Sequence, residues 1–329
     1  MAANLVIRTS AAAVLSALAA GAHSAAAAPA RVSTCGGTRA LAAATTPAAL
    51  ETRSTAGRGL TDPAAYGWPV KPFDRQHPIR ANLDDPRIGA HGSMAFHFGV
   101  DIAVPDGTPV YAVGPGIAYV QPGSVSVARD ATHVFGYWHV RAVVHQHDSI
   151  RLHQLLGYVE RGWGHVHFDE RVNGVYRNPL RPGGLGPYAD VTAPQVAEID
   201  VVRTGGSFEL LANAYDMPSM RVPGAWSGEP VSPALVQWRV SRDGVAGPWR
   251  TAADFRTHML NAKLFHRIYA APTDQNHKGK AGVYCFFLSH DWHARNGRYR
   301  IEVAATDTRG NRTTGRLALT IGGGQVQSR

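Results

Sequence analysis

The chain has 329 residues with 33 lysines and arginines against 24 aspartates and glutamates, a formal charge of +9, and this length exceeds one average domain, so two folded units plus some unfolded sequence are expected. The only lysines are Lys71, Lys263, Lys278 and Lys280; the arginines are scattered, and without an aromatic-basic groove pattern no nucleic-acid partner is expected, while a bacterial wall or anionic glycan fits the charge. Two cysteines, Cys35 and Cys285, exclude a zinc-finger cluster, and whether they pair in an oxidising compartment is left open.

In chain order, Arg8 precedes the apolar run 11–20, and small residues follow near Ala22-His23-Ser24 and Ala26-Ala27-Ala28, which reads as a signal peptide over residues 1–28. The run is shorter than the about 20 apolar residues of a membrane span, so no stable membrane insertion is expected. The mature chain should be secreted, periplasmic or associated with a cell wall, and monomeric. Residues 29–62 are alanine, threonine, glycine and arginine with hardly a bulky apolar side chain, which predicts a disordered linker.

Aromatic and proline content rises at Tyr66-Gly67-Trp68-Pro69-Val70, where a first domain over 63–172 begins. From Gly99 to Val120, apolar residues alternate with turn formers, Pro105-Asp106-Gly107-Thr108 and Gly114-Pro115-Gly116 among them, a hairpin pattern. Further strands are expected at Tyr137 to Val144, Leu155 to Val159 and His165 to Phe168. Pro179, Pro182, Gly183, Gly184, Gly186, Pro187 and Pro194 mark 173–194 as a linker. Beyond it, strands are expected at Phe208 to Tyr215, Leu235 to Val240, Val283 to Leu288, Tyr299 to Ala305 and Leu317 to Ile321. Tyr299, Ile301 and Val303 fall on one face, Arg300 and Glu302 on the other, and Asp307-Thr308-Arg309-Gly310-Asn311 should turn a hairpin. The fold class is therefore all-β: an antiparallel sheet or β-roll first domain, a β-sandwich over 195–322, and a disordered tail over 323–329.

Sixteen histidines make any single one uninformative, so spacing has to discriminate. His97 and Asp101 are four apart and His165 and His167 two apart, even separations that on strands select one face. If both strands face one groove, up to three nitrogen and oxygen ligands converge with a position left open, the composition of a catalytic zinc site. Such an ion lowers the pKa of a bound water and polarises a carbonyl, and amide hydrolysis is the natural chemistry. Spare imidazoles then move protons, with His165 and His139 the best placed. His145-Gln146-His147 repeats the two-residue spacing beside a turn and reads as a surface feature; His290-Asp291-Trp292-His293 reads as an exposed loop.

His97-x-Gly99-x-Asp101, followed by Pro105-x-Gly107-Thr108-Pro109-Val110-x-Ala112 and Gly116-x-Ala118-x-Val120, resembles the first signature of the lysostaphin-type (LytM-like) zinc metallopeptidases, the peptidoglycan endopeptidases. Gly164-His165-Val166-His167-Phe168 resembles their second. Tyr137-Trp138-His139-Val140 and Leu156-Gly157-Tyr158-Val159 are similar to intervening motifs, and together these cover residues 66 to 170. The resemblance implies one Zn2+ per chain on His97, Asp101 and His167, with His139 and His165 catalytic, and a groove for peptidoglycan or another extended peptide. Leu152-His153-Gln154, the short turn Arg161-Gly162-Trp163-Gly164 and the large Trp138 depart from the family pattern and bear on substrate identity. The rival reading is a non-hydrolytic wall-binding or regulatory protein that keeps the fold. The second domain looks like an immunoglobulin or fibronectin type III sandwich, for which a wall-targeting or spacer role is expected.

Overall fold

The alternating stretch from Gly99 to Val120 folds as three strands, Val100–Ala103, Pro109–Tyr111 and Gly116–Gln121, in the computed structural model, which describes residues 34–35, 50–55, 65–88, 94–271, 273 and 283–327. The segment expected to be a signal peptide lies outside those residues. All pairings between named strands are antiparallel. The longest described α-helix is the four-residue Phe265–Ile268, so the fold is all-β as expected. No described helix is long and apolar enough to cross a membrane.

The first unit has two sheets. The larger runs Ser149–Ile150, Gly116–Gln121, Ser124–Ala128, His133–Trp138, His165–Val172, Val100–Ala103, Ile79–Ala81, with Val175–Arg177 also paired to His165–Val172. The smaller runs Val140–Ala142, Leu155–Val159, Pro109–Tyr111. Inward residues of both, such as Val110, Val140, Leu156, Val125, Tyr137, Val166 and Phe168, share one buried cluster with Trp68. Burial of this kind stabilises by about 1.5–3 kcal/mol per large apolar side chain.

The second unit is a sandwich. One sheet runs Glu51–Thr55, Arg312–Gly322, Gly297–Thr306, Leu235–Arg242, Val245–Ala246, and the facing sheet runs Gln195–Thr204, Ser207–Tyr215, Cys285–Trp292. Tyr299, Ile301 and Val303 point into its core as the alternation predicts. Glu302, on the other face, is also buried, and Arg239 and Arg316 pair with its carboxylate at 2.6 and 2.9 Å.

Four expectations need correcting. Within the predicted linker 29–62, Cys35 is disulfide-bonded to Cys285 and Glu51–Thr55 forms an edge strand. Neither a covalent tie nor backbone pairing needs buried apolar area, so composition did not reveal them. The predicted linker 173–194 buries Leu180, Leu185 and Tyr188 in the first core, its prolines and glycines marking turns between buried residues. The predicted disordered tail contributes the strand Gln325–Gln327, which folds back on Arg312–Gly322 through Gly323 and Gly324, both at positive φ. His290 and Asp291 lie at the end of the strand Cys285–Trp292 and not in a loop, although they are exposed as expected.

The units are interlocked near the metal-ligand candidates. The hairpin of Pro86–Ile88 and Met94–Phe96 leaves the first unit and inserts Phe96 into the sandwich core against Phe255, Phe265 and Tyr269. Farther away, Arg309 Nε donates to the Tyr188 carbonyl and Asn311 Nδ2 to that of Asp190.

Candidate metal centre

Two different devices bring the predicted residues together. Asp101 lies directly opposite His167, and Ala103 opposite His165, in the pairing of Val100–Ala103 with His165–Val172. Cross-strand neighbours of this kind have Cβ atoms about 5 Å apart on one face, and His165 and His167 share that face by alternation. His97 arrives by another route, so the expectation of one strand carrying both His97 and Asp101 is corrected. It follows the strand Met94–Phe96, and the chain bends at Gly99 before Val100. A Cβ on Gly99 would sit 2.3 Å from the Phe168 carbonyl oxygen and 2.8 Å from His167 Nε2, so only glycine lets the bend pass this close to the neighbouring strand.

The three ligand candidates converge on one triangle. His97 Nε2 is 2.7 Å from His167 Nδ1, and both are 3.1 Å from Asp101 Oδ1. All three residues are buried. His97 Nδ1–H donates to the Asn82 carbonyl at 2.7 Å, which fixes the tautomer and leaves the Nε2 lone pair facing the other two atoms. His167 Nε2, on the far side of its ring, is buried with no hydrogen-bond partner. Two imidazole nitrogens and one carboxylate oxygen packed this tightly match the donor set of a three-ligand zinc site, so the residues fit that metal.

Electrostatics of the pocket follow from burial. Burial first, and Arg87 second, hold His97 down to about 3, so its ring is neutral at neutral pH. Burial alone would raise Asp101, but His97, His165 and the His167 hydrogen bond outweigh it and hold the carboxylate well below the usual range. Its second oxygen, Oδ2, accepts from Arg87 Nη2 at 3.1 Å and Arg80 Nη2 at 3.4 Å.

The two candidate proton carriers flank the triangle. His165 Nδ1–H donates to the Trp163 carbonyl at 2.7 Å, and its Nε2 lies 3.5 Å from Asp101 Oδ1 and 3.2 Å from Arg80 Nη2. His139 interrupts what the sequence predicts as one strand from Tyr137 to Val144, dividing it into His133–Trp138 and Val140–Ala142. Its φ of 63° is left-handed, a conformation costing about 1–3 kcal/mol that persists only where surrounding contacts impose it. The ring stacks on Trp163 at 3.5 Å and lies 4.6 Å from the His165 ring. Desolvation lowers His165 and takes His139 to about 3, so both are neutral near pH 7.

On the opposite side Phe98 packs on His167 at 4.3 Å, Trp138 at 5.5 Å and Tyr176 at 5.2 Å. Trp138 Nε1 donates to the buried Asp169, so the indole is fixed in place. His145 and His147 are exposed on a turn, as read from the sequence.

The residues that sequence reasoning missed surround the triangle. Besides Arg80 and Arg87, the loop Asn82-Leu83-Asp84-Asp85 clasps His97: Asp84 N donates to the His97 carbonyl at 2.7 Å and His97 N to that of Asp85 at 2.9 Å. The sandwich grips the same loop, because Tyr269 Oη donates to the Asp84 carbonyl, Ser232 N to Asp85 Oδ1, and Asn82 Nδ2 to the Ser232 carbonyl. Burial pushes the Asp85 carboxyl up to about 7. The only signal for these residues was proximity in sequence to His97, and the partners on the second unit had none.

No protein-family model matches the chain. Among solved structures, the chain is similar to a zinc containing peptidase from Vibrio cholerae, at 23% identity and a TM-score of 0.30, over 36% of this chain and 39% of that one. It is similar to a variant of the catalytic domain of the prophage-encoded M23 protein EnpA from Enterococcus faecalis, at 30% identity and a TM-score of 0.27, over 35% of this chain and 94% of that one. Lysostaphin is matched at 16% identity and a TM-score of 0.27, over 75% of this chain and 91% of lysostaphin.

Proposed function

We propose that the chain is a secreted zinc metallo-endopeptidase that hydrolyses peptide bonds of peptidoglycan stem or cross-bridge peptides. The observation that carries this reading is the buried triangle of His97 Nε2, Asp101 Oδ1 and His167 Nδ1, with edges of 2.7, 3.1 and 3.1 Å, flanked by two further imidazoles. A zinc ion held there would polarise a substrate carbonyl and lower the pKa of a water molecule.

The chain's own residues supply the proton chemistry. His165, with Nδ1–H committed to the Trp163 carbonyl, has its Nε2 lone pair on the site side, and burial keeps it neutral, as a general base must be. His139, held against Trp163, is a neutral N–H donor beside it, suited to the oxyanion of the tetrahedral stage. Clasping of His97 by Asn82-Leu83-Asp84-Asp85 keeps its ring from turning.

The test is zinc stoichiometry after dialysis together with peptide release from purified peptidoglycan. One zinc per chain and release of peptides are expected. His97→Ala and His167→Ala should lose both; His139→Ala and His165→Ala should keep the zinc and lose about 10²–10⁴-fold in rate. Hydrolysis by a protein free of metal would refute the assignment.

A further inference from the structure

The proposed hydrolysis leaves Arg80 without a task, yet the fold aims it at the site. It lies in Ile79–Ala81, between the pairs Ile79↔Ile102 and Ala81↔Asp101, where the register slips. A bulge of this kind re-aims the side chain between the two pairs, and bulges are frequent beside active sites. The guanidinium stands over the Trp226 ring, 4.5 Å from its centroid, and Trp226 comes from the second unit, in the 3-10 turn Gly224–Trp226. Arg80 Nη2 lies 3.2 Å from His165 Nε2 and 3.4 Å from Asp101 Oδ2. The same oxygen accepts the shorter bond from Arg87, at 3.1 Å. One carboxylate oxygen therefore serves two guanidiniums, and Arg80 has the weaker hold on it.

We infer that Arg80 receives a carboxylate of the substrate itself, so that the preferred substrates are peptides carrying a free carboxylate on the residue next to the cleaved bond. This rests on the peptidase reading above. A planar guanidinium with five N–H groups matches a carboxylate bidentately, and this one lies on an indole with its Nη2 already shared between His165 Nε2 and Asp101 Oδ2, where a substrate carboxylate would compete for it. An extended chain advances about 3.3–3.6 Å per residue, so a group 3.2 Å from His165 Nε2 lies within one residue of a carbonyl being attacked there. Because Trp226 forms the platform, the second unit takes part in choosing the substrate.

The experiment uses the zinc-loaded full chain and soluble peptidoglycan fragments, untreated or with their carboxyl groups converted to methylamides. Binding is followed by intrinsic tryptophan fluorescence at 4 °C, and products are identified by mass spectrometry. Methylamidation should weaken binding by the wild-type chain about tenfold or more, the effect of losing a charge-assisted pair. Arg80→Gln, at equal zinc content, should bind both preparations with the wild-type affinity for the amidated one. Arg80→Lys should keep part of the preference, and Trp226→Ala should reduce it. Equal binding of the two preparations by the wild-type chain, binding of neither, or a preference that survives Arg80→Gln would overturn the inference. Fragments bound with the preference but never cleaved would remove the peptidase reading and leave the carboxylate site standing; cleavage without preference would do the reverse.

Discussion

Phe96 and His97 are adjacent in the chain but serve different units, and replacing Phe96 should disturb both. Its ring lies 5.1 Å from Phe265, 6.0 Å from Tyr269 and 6.2 Å from Phe255 in the sandwich core, and the residue is 4% exposed. Truncation of such a ring to alanine costs about 3–5 kcal/mol, a large share of the roughly 5–15 kcal/mol that holds a domain folded. Phe96→Leu, which keeps most of the volume, should cost about 1.5 kcal/mol or less and leave a folded protein. The next backbone group, His97 N, donates to the Asp85 carbonyl, and the His97 ring is oriented by that of Asn82, so a loosened residue 96 loosens the ligand. Loss of orienting contacts around a metal ligand typically weakens metal binding about 10–100-fold; for Phe96→Leu a weakening near the lower end, about tenfold, is expected. Urea unfolding gives the stability term, and competition with a chromophoric chelator gives the zinc affinity. A Phe96→Leu protein that is destabilised yet binds zinc with wild-type affinity would refute the claim that the sandwich core holds the ligand.

The remaining predictions concern the second unit. Replacing Cys35 and Cys285 together with serine should lower stability by about 2–5 kcal/mol, read by thermal unfolding, and a non-reducing gel after limited proteolysis should show the tie in the unaltered chain. Glu302→Gln should cost about 2 kcal/mol at pH 7, because it removes charge-assisted bonds to Arg239 and Arg316. Burial raises the Glu302 carboxyl, but those two arginines outweigh it and the net position is lowered. The stability it contributes is therefore full above its unfolded value, near 4.5, and is lost as pH falls through the lower folded value. The gap in unfolding free energy between variant and wild type should shrink below about pH 4.5; a gap independent of pH from 3 to 7 would contradict the ion-pair account.

What could be read from the sequence was what short-range pattern encodes. The order His97-x-Gly99-x-Asp101 and His165-x-His167 pointed to one cluster, and Tyr299 to Val303 declared an inward and an outward face. The strand Ser124–Ala128 escaped notice because serines dilute its alternation, and Gln195–Thr204 because glutamate, aspartate and arginine interrupt its apolar face. His139 was placed inside a continuous strand since nothing local announces a left-handed imidazole; the stacking surface that holds it, Trp163, is twenty-four residues away. Arg80 and Arg87 carried no motif, and their proximity to Asp101 depends on a bulge and a hairpin that only long-range pairing defines. Phe96 read as one more apolar residue before a ligand, when its packing partners lie some 160 to 170 positions onward.

The strand Glu51–Thr55 belongs to the sandwich, while the first core is built from Trp68 to Tyr188 and the rest of the sandwich begins at Gln195. The first unit is thus an insertion: the chain leaves the sandwich, builds the sheet that carries Asp101 and His167, and returns. Two covalent bridges, one at each end, join it to its host. One backbone cut in 56–64 cannot detach it, and neither can one cut in 189–194; release takes both. A single-site protease should therefore nick this molecule without separating its two units, and the pair should leave a sizing column together.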